Sequence, residues 1–537
     1  MRFSKFKLII LALLSGVLLA IGWPTYGSPI FLFFAFVPLL LAEHQLRLSD
    51  VNRKGLKIFL LSYLTFVIWN AITTSWLRFA DPFGASFAIF VNAALMALIF
   101  LLYHKYAKRQ SSNRSLLFLV VLWISFEKLH LGWEFSWPWL NLGNGFSEYM
   151  NWIQWYEYTG TFGGTLWVWI LNVLIFKGVL SYQKDNSKRV LKSLLLKCAG
   201  LIIVPIMISL AIYSTYSHTG ETVNVIALQP NIDPYSEKYN MTNLKFADLF
   251  FELSNSKITD ATDFIIAPET FLAESTALNK FDNSLLKNKF DRYIKAHPNV
   301  NILTGISFYD MFKDKTRIKK ETNIYKFTPN TWYDDYNTAL LINNSNTVQQ
   351  YNKSKLVVGV ENFPYQDILK PIVGDALIDL GGTVAMKTTQ DYRGVFTSSN
   401  SKFKAAPIIC YESVYGEFVS GYVRNDANFL AIITNDAWWN ETQGHKQHLS
   451  YAKLRAVETR RDIVRSANTG ISAIINAKGD ITSSIPYGEK GALAGQIITN
   501  DKITFYVMAG DYIARISIFI LVFVGLIGFF RRKKERL

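Results

Sequence analysis

The chain has 537 residues, half of them apolar, 15% aromatic and only 18% charged, a composition that excludes a disordered chain and argues against an ordinary soluble enzyme. Its 56 Lys and Arg against 41 Asp and Glu give a net charge of +15, which raises nucleic acid as a partner until the charge is located. Residues 1–216 carry 19 basic and 8 acidic side chains, residues 508–537 carry 6 and 2, and residues 217–507 carry 31 of each. The excess therefore travels with the hydrophobic segments, and the large polar segment has none to offer a phosphate backbone; no nucleic-acid partner is expected. The two cysteines, Cys198 and Cys410, make no disulfide framework.

Apolar runs near 8–23, 29–43, 58–79, 86–104, 115–130, 163–181, 194–215 and 510–530 predict about eight transmembrane helices, each needing roughly 20 residues to cross the hydrocarbon core. The first follows Lys5 and Lys7 in the manner of a signal peptide, but a second hydrophobic run comes at once, so it is expected to stay as a helix. The runs at 29–43 and 115–130 are short and read as tilted, re-entrant or differently bounded. Basic residues gather before 8, at 47–57, at 105–114, at 184–192 and in the tail RRKKER, whereas GWPTYGSP and the whole of 131–162 contain none. That alternation predicts both termini in the cytoplasm and residues 217–507 outside it, which in a bacterium is the periplasmic face of the inner membrane. The chain is thus divided into an N-terminal transmembrane region at 1–216, with about seven helices, a polar domain at 217–507, and a last helix with a basic tail at 508–537. The Trp- and Tyr-rich stretch 131–162 reads equally as an interfacial aromatic belt or as a loop supporting the polar domain or a lipid entry route. Cys198 lies within a span and is expected only to pack there.

In the polar domain, VNVIALQ, DFIIAPE, NILTGISF, NTALLIN, AAPIICYE, FLAIITNDAW and ISAIINAKGDI read as buried strands. The amphipathic stretches 240–258, 279–296 and 445–461 read as helices between them, so an α/β domain is predicted. Three strand ends carry reactive side chains: Glu269 after DFIIAP, Lys353 after TVQQYN, and Cys410 at the end of AAPIIC, followed by Tyr411 and Glu412. Singly, these read as a helix-start acid, a solvated surface lysine and a small core residue. Together they supply a base, a cation for a tetrahedral oxyanion and a nucleophile, the parts that acyl transfer needs, at the ends of strands where side chains emerge into a crevice. Spacing alone does not bring them together. His445 and His448 share a helix face without further ligands, and neither a metal site nor a cofactor is expected.

The motifs APET, YNKSKL and IICYES resemble the Glu, Lys and Cys motifs of the carbon–nitrogen hydrolase, or nitrilase, superfamily. QPNI at 229–232, the stretch from Leu356 to Glu361, NDAWW at 435–439, QH at 447–448, RAVETRR at 455–461 and ANTG at 467–470 resemble further motifs of it. The membrane helices narrow the resemblance to the apolipoprotein N-acyltransferase family, end to end. It implies a helical membrane bundle joined to an αββα sandwich. It also implies Glu269 as general base, Lys353 as stabiliser of the tetrahedral intermediate and Cys410 as nucleophile, with Glu361, Tyr411, Glu412 and Trp438 supporting them or the substrates. The implied reaction moves an acyl chain from a phospholipid to the α-amine of a diacylglyceryl-cysteine lipoprotein through a Cys thioester, in a monomer held in the lipid bilayer. Two departures concern the substrate pocket: LVVGVE stands where LVPFGE is usual, and Tyr239 where a tryptophan is expected. The segment 362–386, mixing apolar residues with Gly and Pro, reads equally as a loop over the site or an ordinary connection. The alternatives are a membrane-tethered amidase acting on a small C–N substrate with the same residues, and a scaffold without activity.

Overall fold

The computed structural model describes residues 5–217, 220–238, 240–345, 347–368 and 386–534. Tyr239 and most of the 362–386 segment, residues 369–385, lie outside them. The chain divides into two compact units, Met1–Thr215 with Ala509–Leu537, and Tyr216–Met508.

In the helical unit, Pro29–Leu48, Lys54–Phe79, Pro82–Ala107, Thr161–Asp185 and Lys188–Thr215 are long and apolar enough to cross a membrane, and Phe6–Ile21 and Tyr512–Gly528 are shorter apolar helices. The run expected at 115–130 is the Ser112–His130 helix, which carries Arg114, Glu127 and Lys128. The expected span at 29–43 is not one regular helix. A 3₁₀ turn over Pro29–Phe33 precedes an α-helix over Val37–Leu48. The break leaves backbone groups outside any helical ladder, and Asn172 satisfies two of them: its Oδ1 accepts from Phe36 N at 2.8 Å and its Nδ2 donates to Leu32 O at 2.8 Å. The 131–162 stretch also differs from a simple interfacial belt. Trp139, Leu142 and Phe146 are fully buried, and the Glu127 carboxylate accepts from Leu142 N at 2.8 Å, Trp123 Nε1 at 3.0 Å and Thr165 Oγ1 at 2.7 Å. A buried carboxylate needs several donors, and supplying them draws this stretch into the interior of the helical unit.

The second unit is built on strands β1 (Thr222–Gln229), β2 (Phe264–Ile266), β3 (Leu272–Ala277), β4 (Asn301–Phe312), β5 (Asn323–Ile324), β6 (Trp332–Ile342) and β7 (Gln349–Asn352). These are followed by β8 (Phe396–Thr397), β9 (Lys404–Ile409), β10 (Phe429–Thr434), β11 (Ile463–Ala467), β12 (Ser472–Ile475), β13 (Ile481–Ile485) and β14 (Gly491–Ile498). One sheet runs β14-β1-β2-β4-β6-β5, with β3 paired to β4 and β7 to β6; the other runs β13-β12-β11-β10-β9-β8. The centres, β1-β2-β4 and β9-β10-β11, are parallel and almost wholly buried, which is why they read as continuous apolar runs. The sheets face each other through contacts such as Phe264 of β2 with Phe429 of β10, ring centroids 5.2 Å apart. Phe246 and Phe250 from the Asn243–Asn255 helix, and Phe290 and Ile294 from the Leu285–Ala296 helix, fill the core with Ile226, Ile265 and Ile302 of the first sheet. The Gly416–Arg424 helix lies against β9 and the Gln443–Thr459 helix. The architecture is a nitrilase-like α/β sandwich.

Among the strands that the apolar pattern does not reveal, two are held by identifiable partners. β11 reads IVRSA, and its Arg465 suggests a surface segment; it is fully buried because Asp436 neutralises it. β14 is rich in Gly and Ala and half-exposed, and its pairing with β1 over eight residue pairs, Thr222↔Ile498 to Gln229↔Gly491, holds it as a strand.

Candidate active site

Glu269 sits three residues beyond β2, in a turn that begins with Pro268 and continues through Thr270, whose φ of +43° is left-handed. The turn presses directly on β4. Gly305 N donates to Pro268 O at 3.1 Å, and a Cβ at Gly305 would stand 2.3 Å from Thr270 N and 2.6 Å from Pro268 O. Only glycine permits that approach, because both atoms are backbone and neither can swing aside.

Lys353 leaves the end of β7, where its N–H donates to Asn337 O at 2.8 Å, and its side chain is 2% exposed. Its ammonium donates to Glu269 Oε1 and to Glu361 Oε1, each at 2.9 Å. The Asn337 amide donates to the same two carboxylates, at 2.8 Å to Glu269 and 3.3 Å to Glu361. Glu361 is fixed in turn by Val357 N, 2.8 Å from its Oε2. Burial pushes the Glu269 pKa up, but the charge and hydrogen bond of Lys353, the Asn337 amide and the charge of Lys238 outweigh it and hold the carboxyl below its ordinary value. Burial pulls Lys353 down, and the charges of Glu269, Glu361 and Cys410 outweigh that, so it stays an ammonium.

Cys410 directly follows β9 and opens the next turn with φ +51°, an unusual conformation for a residue with a Cβ, and is 7% exposed. The surrounding turn over-determines it. Ser413 Oγ donates to Cys410 O at 2.8 Å, and His448 Nε2 lies 3.2 Å from the same oxygen. Glu412, fully buried, accepts from Ile409 N at 2.9 Å, Ser354 N at 2.7 Å, Tyr351 OH at 2.7 Å and Tyr422 OH at 3.3 Å. It therefore ties the residue after Lys353 to the residue before Cys410. Tyr411 is buried with its ring 5.3 Å from that of Tyr415. Burial pushes the Cys410 thiol well up, and the charge of Glu269 adds to this; Lys353 and a hydrogen bond with Thr434 pull it back. At neutral pH the site thus holds a thiol, a carboxylate and an ammonium.

Beneath the cysteine turn lies a second buried layer. His448 Nδ1 is 3.0 Å from Asp436 Oδ1, Arg465 Nη2 is 2.5 Å from Asp436 Oδ2, and Arg455 donates to Val414 O at 2.8 Å. The NDAWW, QH and RAVETRR motifs meet here as packing for the turn, with His448 as a hydrogen-bonding group. Trp438 stands apart, half-buried against Tyr235 with ring centroids 5.1 Å apart. The structure thus brings Glu269, Lys353, Glu361 and Cys410 together and gives Glu412 a tying position. Sequence reasoning missed Asn337, hidden inside the apolar run NTALLIN, and Lys238, which carried no strand-end signal. The arrangement holds a thiol, two carboxylates and an ammonium in one buried cluster.

The close approach at Gly305 generates a prediction. Gly305→Ala is expected to push the Glu269 turn away and cut turnover about 100-fold, the scale of an ångström-sized misplacement. Ile306→Val, next in the same strand and buried, is expected to cost about 0.5–1.5 kcal/mol while keeping near-wild-type turnover. Melting curves and initial rates of both variants check this; a Gly305→Ala protein within twofold of wild-type activity contradicts it.

The N-terminal domain of apolipoprotein N-acyltransferases matches residues 15–174, and the carbon-nitrogen hydrolase domain matches residues 227–501. The chain is 26% identical over 539 residues to an apolipoprotein N-acyltransferase of Chlorobaculum tepidum, covering 98% of this chain and 97% of that one. It is 28% identical to one from Haemophilus influenzae, covering 99% and 97%. Among solved structures, an amidase from a Nesterenkonia species is similar at 14% identity and a TM-score of 0.35, covering 55% of this chain and 95% of that one. The protein belongs to the carbon–nitrogen hydrolase family, in the branch whose members carry the apolipoprotein N-acyltransferase N-terminal domain.

Proposed function

We propose that this protein transfers an acyl chain from a phospholipid to the α-amine of a diacylglyceryl-cysteine lipoprotein, through a thioester on Cys410. The observation that carries the chemistry is the buried cluster in which Lys353 Nζ bonds both Glu269 and Glu361 while the charges of Glu269 and Lys353 act on the Cys410 thiol. The choice of substrates is supported by the near full-length likeness to apolipoprotein N-acyltransferases and by the apolar helices that accompany the site in one chain.

In this reading the Glu269 carboxylate takes the Cys410 proton as sulfur attacks the ester carbonyl of the donor. The tetrahedral oxyanion forms beside the Lys353 ammonium, a pre-aimed cation in a water-poor site. Collapse breaks the C–O bond, Glu269 returns its proton to the leaving oxygen, and lysophospholipid departs from a Cys410 thioester. The acceptor amine then attacks the thioester carbonyl and gives a proton to Glu269, and the expelled Cys410 sulfur recovers that proton. Glu361 acts through Lys353, and Glu412 acts through the backbone on either side of the reacting residues. The catalytic unit faces the periplasm, a reading supported by the alternation of connections rich in basic residues with connections that lack them. Eight spans and a single copy of the chain complete it.

The direct check is incubation of purified protein with phospholipid and a diacylated lipopeptide, followed by mass analysis of the lipopeptide. The expected result is gain of one acyl chain in the wild type and none in Cys410→Ala, with Cys198→Ala unaffected. Free fatty acid or ammonia as the sole product supports the amidase alternative instead. Orientation is checked by a reporter active only in the periplasm, fused after residue 300, which is expected to be active; activity of a cytoplasmic reporter alone at that point contradicts it.

A further inference from the structure

Glu269 and Glu361 share one cation, so with Lys353 they leave a surplus negative charge in a buried site. Such a surplus disfavours an ionised base unless a second cation lies near. The structure supplies one. Lys238, 3% exposed, donates from Nζ to Thr270 Oγ1 at 2.6 Å and reaches the Glu269 carbonyl oxygen at 3.4 Å. It therefore grips the backbone of the turn that carries the base, on the residue whose φ is +43°.

The segment that delivers Lys238 is itself pinned. Asn231 N donates to Asn468 O at 2.9 Å, Ile232 N donates to Asn468 Oδ1 at 3.1 Å, and Asn468 Nδ2 donates to Ile232 O at 2.7 Å. Asp233 then closes a turn, accepting from Tyr235 N at 2.7 Å and Ser236 N at 2.8 Å, and its carbonyl accepts from Lys238 N at 3.0 Å. The QPNI and ANTG motifs thus have a purpose that their sequence does not reveal: they staple the arm from which one lysine reaches under the base. An ordinary surface lysine has no need of such an arm.

We propose that Lys238 is a positioning residue for the transfer reaction, a second cation that holds the Glu269–Thr270 turn in register beside the Glu269 and Glu361 carboxylates. The inference rests on the reading of Glu269 as the base for Cys410. The titratable groups acting on Lys238 are Glu269, beyond β2, and Cys410, at the end of β9, with Lys353 and Glu361 on the far side of the Glu269 carboxylate. Burial pushes the Lys238 ammonium down to about 8 against the pull of Glu269 and Cys410. The sign follows, with the Glu269 carboxylate ionised throughout: below that pH Lys238 grips Thr270 and the Glu269 carbonyl as an ammonium, and above it that charge-assisted support of the turn is lost. An arginine, charged at every working pH, does not lose it.

The test measures the rate of Cys410 acylation by phospholipid alone, by intact-protein mass, in full-length protein from pH 6 to 9.5. In the wild type the rate is expected to fall as pH rises through about 8. Lys238→Met is expected to acylate roughly 10- to 100-fold more slowly at pH 7, the scale of a misplaced reacting group, and to show no such fall. Lys238→Arg is expected to acylate within a few-fold of the wild type at pH 7 and to hold its rate past pH 9; this arm decides the matter even if Lys238→Met does not fold. A Lys238→Met protein acylating at the wild-type rate, or a Lys238→Arg protein that keeps the fall near pH 8, overturns the role of Lys238 and leaves the proposed function standing. A wild type that never acylates Cys410 overturns the proposed function, and this role with it.

Discussion

A buried ammonium shared between two carboxylates is the interaction around which this catalytic unit is arranged. Lys353 bonds Glu269 and Glu361 at equal distances, in surroundings where an unpaired charge costs several kcal/mol. Such a group is tolerated only if every neighbour is fixed, and the fold fixes each from a different strand. Glu269 comes from the end of β2, Lys353 from the end of β7, and Asn337, on β6, donates to both carboxylates. The pairing works in two ways at once. It holds the Glu269 carboxyl below its ordinary pKa, and the Lys353 charge also pulls the Cys410 thiol pKa down against burial.

The cysteine reaches this cluster from the opposite sheet, and its geometry is maintained at some cost. A left-handed residue with a Cβ costs of order 1–3 kcal/mol, which the buried turn beneath it has to offset. Glu412 is the main tie, since its four donors come from the backbone of Ile409 and Ser354 and the hydroxyls of Tyr351 and Tyr422. Through it the lysine strand end and the cysteine strand end are bonded to one carboxylate. The Asp436–Arg465–His448 layer plays the matching part below, with the buried Asp436 carboxylate bonded to both His448 and Arg465. In an enzyme that must prefer an amine to water, a site held this closely needs little rearrangement that would admit solvent.

The sequence was most legible where a buried apolar strand stops at a reactive side chain, as at Glu269 and Cys410. There the chemistry contradicts the surrounding pattern and draws attention to itself. It was silent where a functional side chain keeps company with its pattern: Asn337 sits within an apolar run, and Lys238 within a polar one. The strand of Arg465 was silent for another reason, since a buried arginine is rare and its partner Asp436 is 29 residues away. The helical runs were visible from composition, but the broken helix at Pro29–Leu48 depends on Asn172, a contact across 140 residues that no local window contains. Strand ends are local facts and charge pairing is a tertiary one, and that difference separates the expected residues from the missed ones.

The central claim, that the cluster exists to make and consume an acyl group on Cys410, is tested most directly by stopping the reaction halfway. Purified protein given phospholipid without an acceptor, then separated from lipid and weighed intact, should carry the added mass of one acyl chain. Neutral hydroxylamine should remove it, and peptide mapping should assign it to Cys410. Addition of a diacylated lipopeptide to the isolated acyl-protein should return the chain to its unmodified mass while the lipopeptide gains the acyl group. A protein that stays unmodified with donor alone yet turns over rapidly when both substrates are present would contradict the account and point to direct transfer between the two lipids.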